Sequence, residues 1–117
     1  MTEMTIEVRD SLAPQIQSFG GWISTIIELA AANFKMSAPQ KASAELIDFL
    51  SNNPLPSEVM NYFLSETLQK RLEFLLDLNG EGKISEAEEK ELDEWERIEH
   101  IAIMLKAQAG KQLKQNS

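Results

Sequence analysis

One stretch of the sequence carries residue types at a spacing that suits a specific chemistry. It runs from Asp77 to Glu88, as Asp-Leu-Asn-Gly-Glu-Gly-Lys-Ile-Ser-Glu-Ala-Glu. A helix-loop-helix calcium site takes oxygen ligands from loop positions 1, 3, 5, 7, 9 and 12, with glycine at position 6. Gly82 falls at position 6, and the ligands would be Asp77, Asn79, Glu81, the carbonyl of Lys83, Ser85 and Glu88.

The same residues also describe a tight turn between two helices. Asn79, Gly80 and Gly82 favour the left-handed backbone that follows a helix end, and Ser85 with Glu88 matches a Ser-x-x-Glu capping box. Glu81 is longer than the Asp or Asn usual at the fifth position of an EF-hand, and the sequence holds no second such loop. Both interpretations stay open, and our leading prediction includes no metal and no cofactor.

Composition excludes several kinds of site. The chain has 117 residues, about one domain, with no cysteine and a single histidine. Disulfides, thiolate nucleophiles and zinc-thiolate sites are therefore excluded, as is a two-histidine metal site within one chain. His100 has no nucleophile placed beside it by the sequence, so we expect it at the edge of a helix and predict that the protein is not an enzyme.

Negative charge is concentrated near the last predicted helix. The net charge is −8. Residues 86–99 contain eight acidic residues and only two basic ones, Lys90 and Arg97. The acidic residues are Glu86, Glu88, Glu89, Glu91, Asp93, Glu94, Glu96 and Glu99. This charge argues against broad nucleic-acid binding. It fits either a basic protein partner or a solvated helix face. We find no signal peptide and no apolar run long enough to span a bilayer, so we expect a soluble, cytoplasmic protein without membrane contact.

The N-terminus predicts one short strand. Residues 4–9 alternate apolar and polar side chains, and Met4, Ile6 and Val8 share one face. A lone strand needs a partner for its backbone groups. The same strand of a second copy would give a two-stranded antiparallel ribbon and a homodimer, whereas the alternative is a terminus that lies on the core.

Helical periodicity accounts for the remainder of the chain. The first predicted helices are a short one around residues 12–19 broken by Gly20-Gly21, then Trp22 to Phe34, and one that opens at Ser37 with Ser-x-x-Gln capping and ends at Asn52-Asn53 before Pro54. They are followed by a short segment from Ser57 through Phe63, a Ser65-capped helix to Leu76, and Glu86 to Ala109 stopped by Gly110. Trp22 and Trp95 are spaced as core residues. Ile101, Ile103 and Met104 make one turn apolar almost all round, which either faces a partner or is covered by other helices.

The order of strand, short helix, turn and longer helix over residues 4–34 resembles the ribbon-helix-helix fold of small dimeric regulators and antitoxins. In that fold the outward residues of the strand contact the major groove. The resemblance implies that Thr5 and Arg9 could contact DNA, while Glu7 and the shortage of positive charge argue for weak contact at most.

Residues 44–109 resemble a group of small, largely uncharacterised cyanobacterial proteins that are sometimes described as antitoxin-like. The shared features are Phe49-Leu50 before Asn53-Pro54, Phe63 before a Ser-capped helix, Asn79 with Glu81-Gly82, Ser85 with Glu88, Glu91-Leu92-Asp93-Glu94, Glu99-His100 and Leu105-Lys106-Ala107. The acidic residue at Asp77 is often absent in that group, so the resemblance implies that the turn is structural.

These observations predict a mainly α protein, in which a short strand that pairs across a dimer precedes five or six helices ending in a long hairpin. Residues 1–36 would form the dimerisation unit and residues 37–117 the helical unit, within one compact domain. The predicted function is a non-enzymatic protein-interaction module, antitoxin-like or a small regulator, that acts as a homodimer with a basic partner such as a toxin. The alternative is a calcium-binding helical protein that uses residues 77–88.

Overall fold

A row of apolar residues along the last helix determines how the chain packs. Leu92, Trp95, Ile98, Leu105 and Ala109 recur at intervals of three, four or seven residues, and all are buried. Residues at this spacing share one face of an α-helix. The computed structural model of the protein describes residues 20–115, and within them this helix contacts each of the other four.

The described residues form a helical structure without a strand. A single 3-10 turn, Gly20–Trp22, leads into α1 (Ile23–Ala32), followed by α2 (Ser37–Ser51), α3 (Pro56–Met60), α4 (Glu66–Gly80) and α5 (Glu86–Gln115). The mainly α fold is therefore confirmed. The predicted strand at residues 4–9 and the short helix at residues 12–19 lie outside the described residues. None of the described helices has the length and apolar character needed to cross a bilayer.

One hydrophobic core joins the helices to α5. α1 contributes Ile26 and Leu29, the following turn contributes Phe34, and α2 contributes Ala42, Leu46 and Leu50; Val59, Leu68 and Leu75 complete it from α3 and α4. Trp22 and Trp95 are both buried, which confirms their prediction as packing anchors. Each buried aromatic or aliphatic side chain contributes about 1.5–3 kcal/mol through removal from water.

A glutamate carboxylate accepts a backbone N–H at the start of each helix from α2 to α5. The four contacts are Glu94 with Lys35 and Met36 before α2, Glu58 with Leu55 before α3, Glu45 with Ser65 before α4, and Glu88 with Ser85 before α5. The N–H groups at a helix start have no partner within the helix, and the helix dipole favours negative charge there. Four of the acidic residues thus stabilise turns.

Glu94 makes the longest-range of these contacts. From the middle of α5 its Oε1 and Oε2 accept the Lys35 N–H at 3.1 and 3.0 Å, and Oε1 accepts the Met36 N–H at 2.9 Å. On the same side, Arg97 lies over the Phe34 ring at 5.5 Å and reaches the Ala32 carbonyl at the end of α1. Contacts from α5 therefore help to hold the α1–α2 turn.

The beginning of the described chain is fixed by a close approach between two turns. The Trp22 indole N–H donates to the buried Pro54 carbonyl at 2.8 Å. Gly20 has φ of +65°, and a Cβ built at that position would lie 2.2 Å from Oδ1 of Asn53, which itself has φ of +50°. Only glycine combines this conformation with this contact at low cost.

The predicted end of the last helix is wrong, because α5 continues through Gly110 to Gln115. Glycine in a helix costs about 1 kcal/mol relative to alanine, which packing on either side can outweigh. Ala109 is fully buried, and the Cα of Gly110 faces Met60 of α3: a Cβ there would lie 4.0 Å from the Met60 sulfur. Contact with α3 thus keeps this glycine in the helix.

Other predicted boundaries also shift. α1 spans Ile23–Ala32, ending at Asn33 in the left-handed region, and α3 ends at Met60, before Phe63. The predicted Ser-x-x-Gln cap at Ser37 is wrong: Met36 is the N-cap, and the Gln40 amide donates to the Phe34 carbonyl. Ser65 is the N-cap of α4 as predicted, but its hydroxyl donates to Glu45 of α2. For Ser65, a tertiary partner on α2 takes the hydroxyl that would otherwise cap the helix.

Gly80 and Gly82 provide a test of the turn, because their backbones differ. Gly80 is helical with open space where a Cβ would lie, whereas Gly82 has φ of +71°. Gly80→Ala should raise the free energy of unfolding by about 0.5 kcal/mol, and Gly82→Ala should lower it by about 1 kcal/mol. Urea unfolding measures both. Changes of the same sign would contradict the assigned backbone.

Candidate interaction surface

The segment from Asp77 to Glu88 is a helix end, a short turn and a helix start. The Lys83 N–H donates to the Leu78 carbonyl at 2.9 Å, and the Gly82 N–H donates to the Asn79 carbonyl at 3.2 Å. With Gly82 in the left-handed region, these two bonds define a Schellman motif. The helix therefore ends later than predicted, and Asp77 and Asn79 lie on it rather than in a loop.

Ser85 and Glu88 form the predicted capping box. The Ser85 N–H donates to Glu88 Oε1 at 3.0 Å, and the Glu88 N–H donates to Ser85 Oγ at 3.1 Å. The hydrogen bond from the Ser85 backbone N–H is the main reason that the pKa of Glu88 lies below its usual range. Within residues 20–115, no group of three or more His, Asp or Glu side chains is arranged to hold a metal ion.

The strongest polar contact between α4 and α5 involves Arg71, Glu91 and Trp95. Arg71 Nε and Nη2 donate to the two Glu91 oxygens at 2.9 Å each, and the Trp95 indole N–H donates to Glu91 Oε2 at 3.2 Å. Paired N–H donors match the two oxygens of a carboxylate in geometry and charge. The hydrogen bonds from Arg71 are the main cause of a lowered pKa at Glu91. This cluster closes the hairpin that the sequence predicted.

His100 lies where the sequence predicted, at the exposed edge of α5. It borders an open surface depression of about 300 Å³ with Glu28 of α1 and with Asp93, Glu96, Arg97 and Ile101 of its own helix. A base needs a nucleophile or a bound proton donor within hydrogen-bond reach. The residues that line this depression supply charge but no hydroxyl or thiol.

The outer side of α5 carries its charge in two blocks. Glu86, Glu89, Asp93, Glu96 and Glu99 are exposed in the first half, and Lys106, Lys111 and Lys114 follow in the second half. The acidic block coincides with the run identified in the sequence. Three members of that run are engaged within the fold: Glu91 and Glu94 bind other elements, and Glu88 caps the start of α5. The remaining acidic side chains form the surface available to a basic partner.

Apolar side chains are exposed around the junction of α3 and α5. Phe63 and Ile103 are 77% and 66% exposed, and Met60 and Leu113 are about 40% exposed. Two residues of α5 lie next to Phe63 and Met60. Lys106 Nζ lies 5.5 Å from the Phe63 ring centre, and Gly110 faces Met60. We call this set, Met60, Phe63, Ile103 and Leu113, the apolar patch.

The apolar patch answers a question left open by the sequence. Ile101 is buried against the core, but Ile103 and Met104 on the same turn are exposed, so the other described helices do not cover that turn fully. Phe63 was expected at the end of a short helix, and its exposure was missed. Pro56 before Phe63 and Ser65 after it were the residues in the sequence that indicated a short α3, one that would leave the Phe63 side chain exposed.

The predicted ribbon residues Met4, Ile6 and Val8, and the predicted DNA contacts Thr5 and Arg9, lie outside the described residues. Comparison with known proteins gives no assignment: no protein-family model, no curated protein and no solved structure matches this chain.

Replacing Glu91 tests the contact between α4 and α5. Glu91→Ala should lower the free energy of unfolding at pH 7 by about 1.5–3 kcal/mol, the usual range for hydrogen bonds to a charged group. Glu66→Ala, which removes an exposed pair with Lys70, should cost about 0.3–0.5 kcal/mol. Equal losses in the two variants would contradict the role given to Glu91.

The same variant has a defined pH dependence. Because folding lowers the pKa of Glu91, the unfolded chain binds this proton more readily. The stabilisation is present above the unfolded value of about 4.3 and is lost as pH falls through the lower folded value. Unfolding measured between pH 7 and pH 3 should therefore show a shallower decline in Glu91→Ala than in the parent.

A calcium titration tests the alternative use of residues 77–88. Helical backbone at Asp77 and Asn79 and the capping bonds of Glu88 differ from the arrangement that a calcium loop requires. We expect no saturable heat and no shift of the Gly82 amide signal up to millimolar calcium, by calorimetry and NMR. Saturable binding that is lost in Glu88→Gln would overturn this expectation and establish the calcium interpretation.

Proposed function

We propose that the protein is a non-enzymatic protein-interaction module, antitoxin-like or a small regulator, that acts as a homodimer and binds a basic protein partner. The observation that carries the proposal is the pairing of an exposed apolar patch with an exposed acidic block along one helix. An apolar centre beside complementary charge is the arrangement that protein interfaces use.

The acidic block supports recognition of a basic partner. It lies on α5, which contacts every other helix and is therefore a rigid support. Its charges are held about one or two helical turns apart, and rigid charges of one sign accelerate association with a partner of the opposite sign. Recognition of this kind weakens as salt increases, because exposed charges are screened over about 10 Å at 0.1 M salt.

The apolar patch supports the interaction role independently of charge. Phe63 is the most exposed large apolar side chain among the described residues, and aromatic side chains carry much of the binding energy at protein interfaces. Lys106 contacts its ring and donates to the Tyr62 carbonyl at 3.2 Å. These contacts orient Phe63 before any partner binds.

The ribbon-helix-helix resemblance adds a second part to the proposal. Pairing through Met4, Ile6 and Val8 would supply the dimer, and Thr5 and Arg9 would supply weak DNA contact. These roles stay predictions, since the residues lie outside the described chain. The net charge of −8 supports the protein partner ahead of DNA.

A basic helical peptide tests the acidic block without knowledge of the natural partner. The probe is a synthetic 20-residue peptide with arginine on one face and leucine on the other, titrated by calorimetry at low and high salt. We expect saturable binding that weakens with salt, and a loss of about threefold to tenfold in Glu86→Gln/Glu89→Gln, which removes two exposed charges.

The matched control is Glu73→Gln/Asp77→Asn, which removes two exposed charges from α4 and leaves α5 unchanged. This variant should bind the peptide as the parent does. If both double variants lose affinity equally, net charge rather than the surface of α5 governs binding. If the parent does not bind the peptide at low salt, the proposal of a basic partner fails.

A further inference from the structure

The charges on the outer face of α5 are arranged with opposite signs on the two sides of Ile103. Glu99 lies four residues before Ile103 and Lys106 three residues after it; Glu96 lies seven before and Lys111 eight after; Asp93 lies ten before and Lys114 eleven after. All these residues belong to one uninterrupted helix. Each acidic position therefore has a basic counterpart at nearly the same distance in the opposite direction.

Such an arrangement matches a second copy of the same helix in antiparallel orientation. If two α5 helices cross with Ile103 at the two-fold axis, position 96 of one copy lies opposite position 110 of the other. Glu96 of each copy is therefore next to Lys111 of the other. Glu99 likewise falls beside Lys106. A two-fold interface places each pair twice. A parallel arrangement would instead place acidic against acidic and basic against basic.

We propose that the chain self-associates through the outer face of α5, with two copies antiparallel and Ile103 at the centre. This inference rests on the homodimer of the proposed function and names a surface for it within the described residues. It uses Glu96, Glu99 and the apolar patch, which the proposed basic partner would also contact, and it does not depend on the N-terminal ribbon.

Small and apolar residues suit that face for close contact. Ala107 is exposed on α5 four residues after Ile103 and adds little bulk to that face. The exposed side chains of Ile103 and Phe63 would leave water on association. Removal of exposed aromatic and aliphatic surface supplies the favourable free energy, and charge sets the orientation.

The dimensions are sufficient for a stable pair. α5 has 30 residues, a length of about 45 Å at 1.5 Å per residue. A standard interface takes about 800 Å² from each partner, which is about a tenth of the 8258 Å² accessible surface of the chain. A stable pair would bury about that area on the outer face of α5 together with Met60 and Phe63.

The test is a charge exchange on the full chain, followed by analytical ultracentrifugation across a range of concentrations. Glu96→Lys and Lys111→Glu should each weaken the dimer on the order of tenfold, because each creates two like-charge contacts across the axis. The double variant Glu96→Lys/Lys111→Glu should recover the affinity of the parent. The two residues lie 15 positions apart, about 22 Å along the helix, so recovery requires contact between chains.

Ile103→Lys tests the apolar centre, and Leu76→Lys is its control. Leu76 is also exposed, at 49%, but lies on α4. Ile103→Lys should shift the protein towards monomer by at least tenfold, whereas Leu76→Lys should not. Circular dichroism of each variant establishes that the fold is retained, as expected for substitutions at exposed positions.

The contrary outcomes separate this inference from the proposed function. A dimer that is unaffected by Ile103→Lys and by both charge reversals would overturn the α5 interface but leave the homodimer of the proposed function intact. That result would favour pairing through another surface, such as residues 4–8. A chain that stays monomeric at all concentrations would overturn the interface and the homodimer together. Monomer combined with reduced stability of Ile103→Lys would show that another segment of the same chain covers this face.

Discussion

The fold depends on carboxylates that accept backbone N–H groups at the starts of helices. Short connections leave those N–H groups near the surface, where water competes for them, and an ionised glutamate is a stronger partner than water in a fixed geometry. Glu45 and Glu94 act across the fold and join α2 to the start of α4 and α5 to the start of α2. Glu58 and Glu88 act within their own turns. These contacts fix each turn against a neighbouring group, while burial of the apolar faces supplies most of the packing free energy.

Because of these contacts, the negative charge is not spread evenly over the surface. A net charge of −8 suggests a uniformly acidic surface, but several of the acidic side chains are bound to neighbouring parts of the fold. Glu91 and Glu94 are oriented toward neighbouring elements, whereas Glu89, Asp93 and Glu96 face outward. The functional surface is therefore smaller and more sharply bounded than the sequence indicates. It lies on one helix, next to lysines and an apolar patch.

The sequence was sufficient to predict features that depend on local chemistry. The periodicity of Leu92, Trp95 and Ile98 identified the buried face of α5, and Ser85 with Glu88 identified the start of that helix. The sequence was insufficient where a contact with a residue distant in sequence determines the local structure. Gly110 was expected to end α5, yet contact with Met60 keeps it helical. Ser65 was expected to cap its own helix through its hydroxyl, which instead binds Glu45.

The candidate surface shows the same division. The acidic residues of α5 were recognisable from sequence, since charge patterning survives without knowledge of the fold. The apolar patch was not, because exposure of Phe63 follows from the early end of α3 and from the path of the chain between Met60 and Ser65. The exposure of Ile103 and Met104 was one of two open alternatives. Hydrophobic periodicity predicts which face of a helix is buried, but it does not predict whether neighbouring helices cover the other faces.

The two tryptophans make separate hydrogen bonds in different parts of the fold, and this gives the protein two built-in optical reporters. The indole of Trp22 is bonded to the Pro54 carbonyl where the chain enters α1, and the indole of Trp95 is bonded to the Glu91 carboxylate between α4 and α5. A carbonyl and a carboxylate perturb indole emission differently, and acid neutralises only the second. Single-tryptophan versions would therefore show whether the N-terminal entry and the C-terminal hairpin melt together or in sequence.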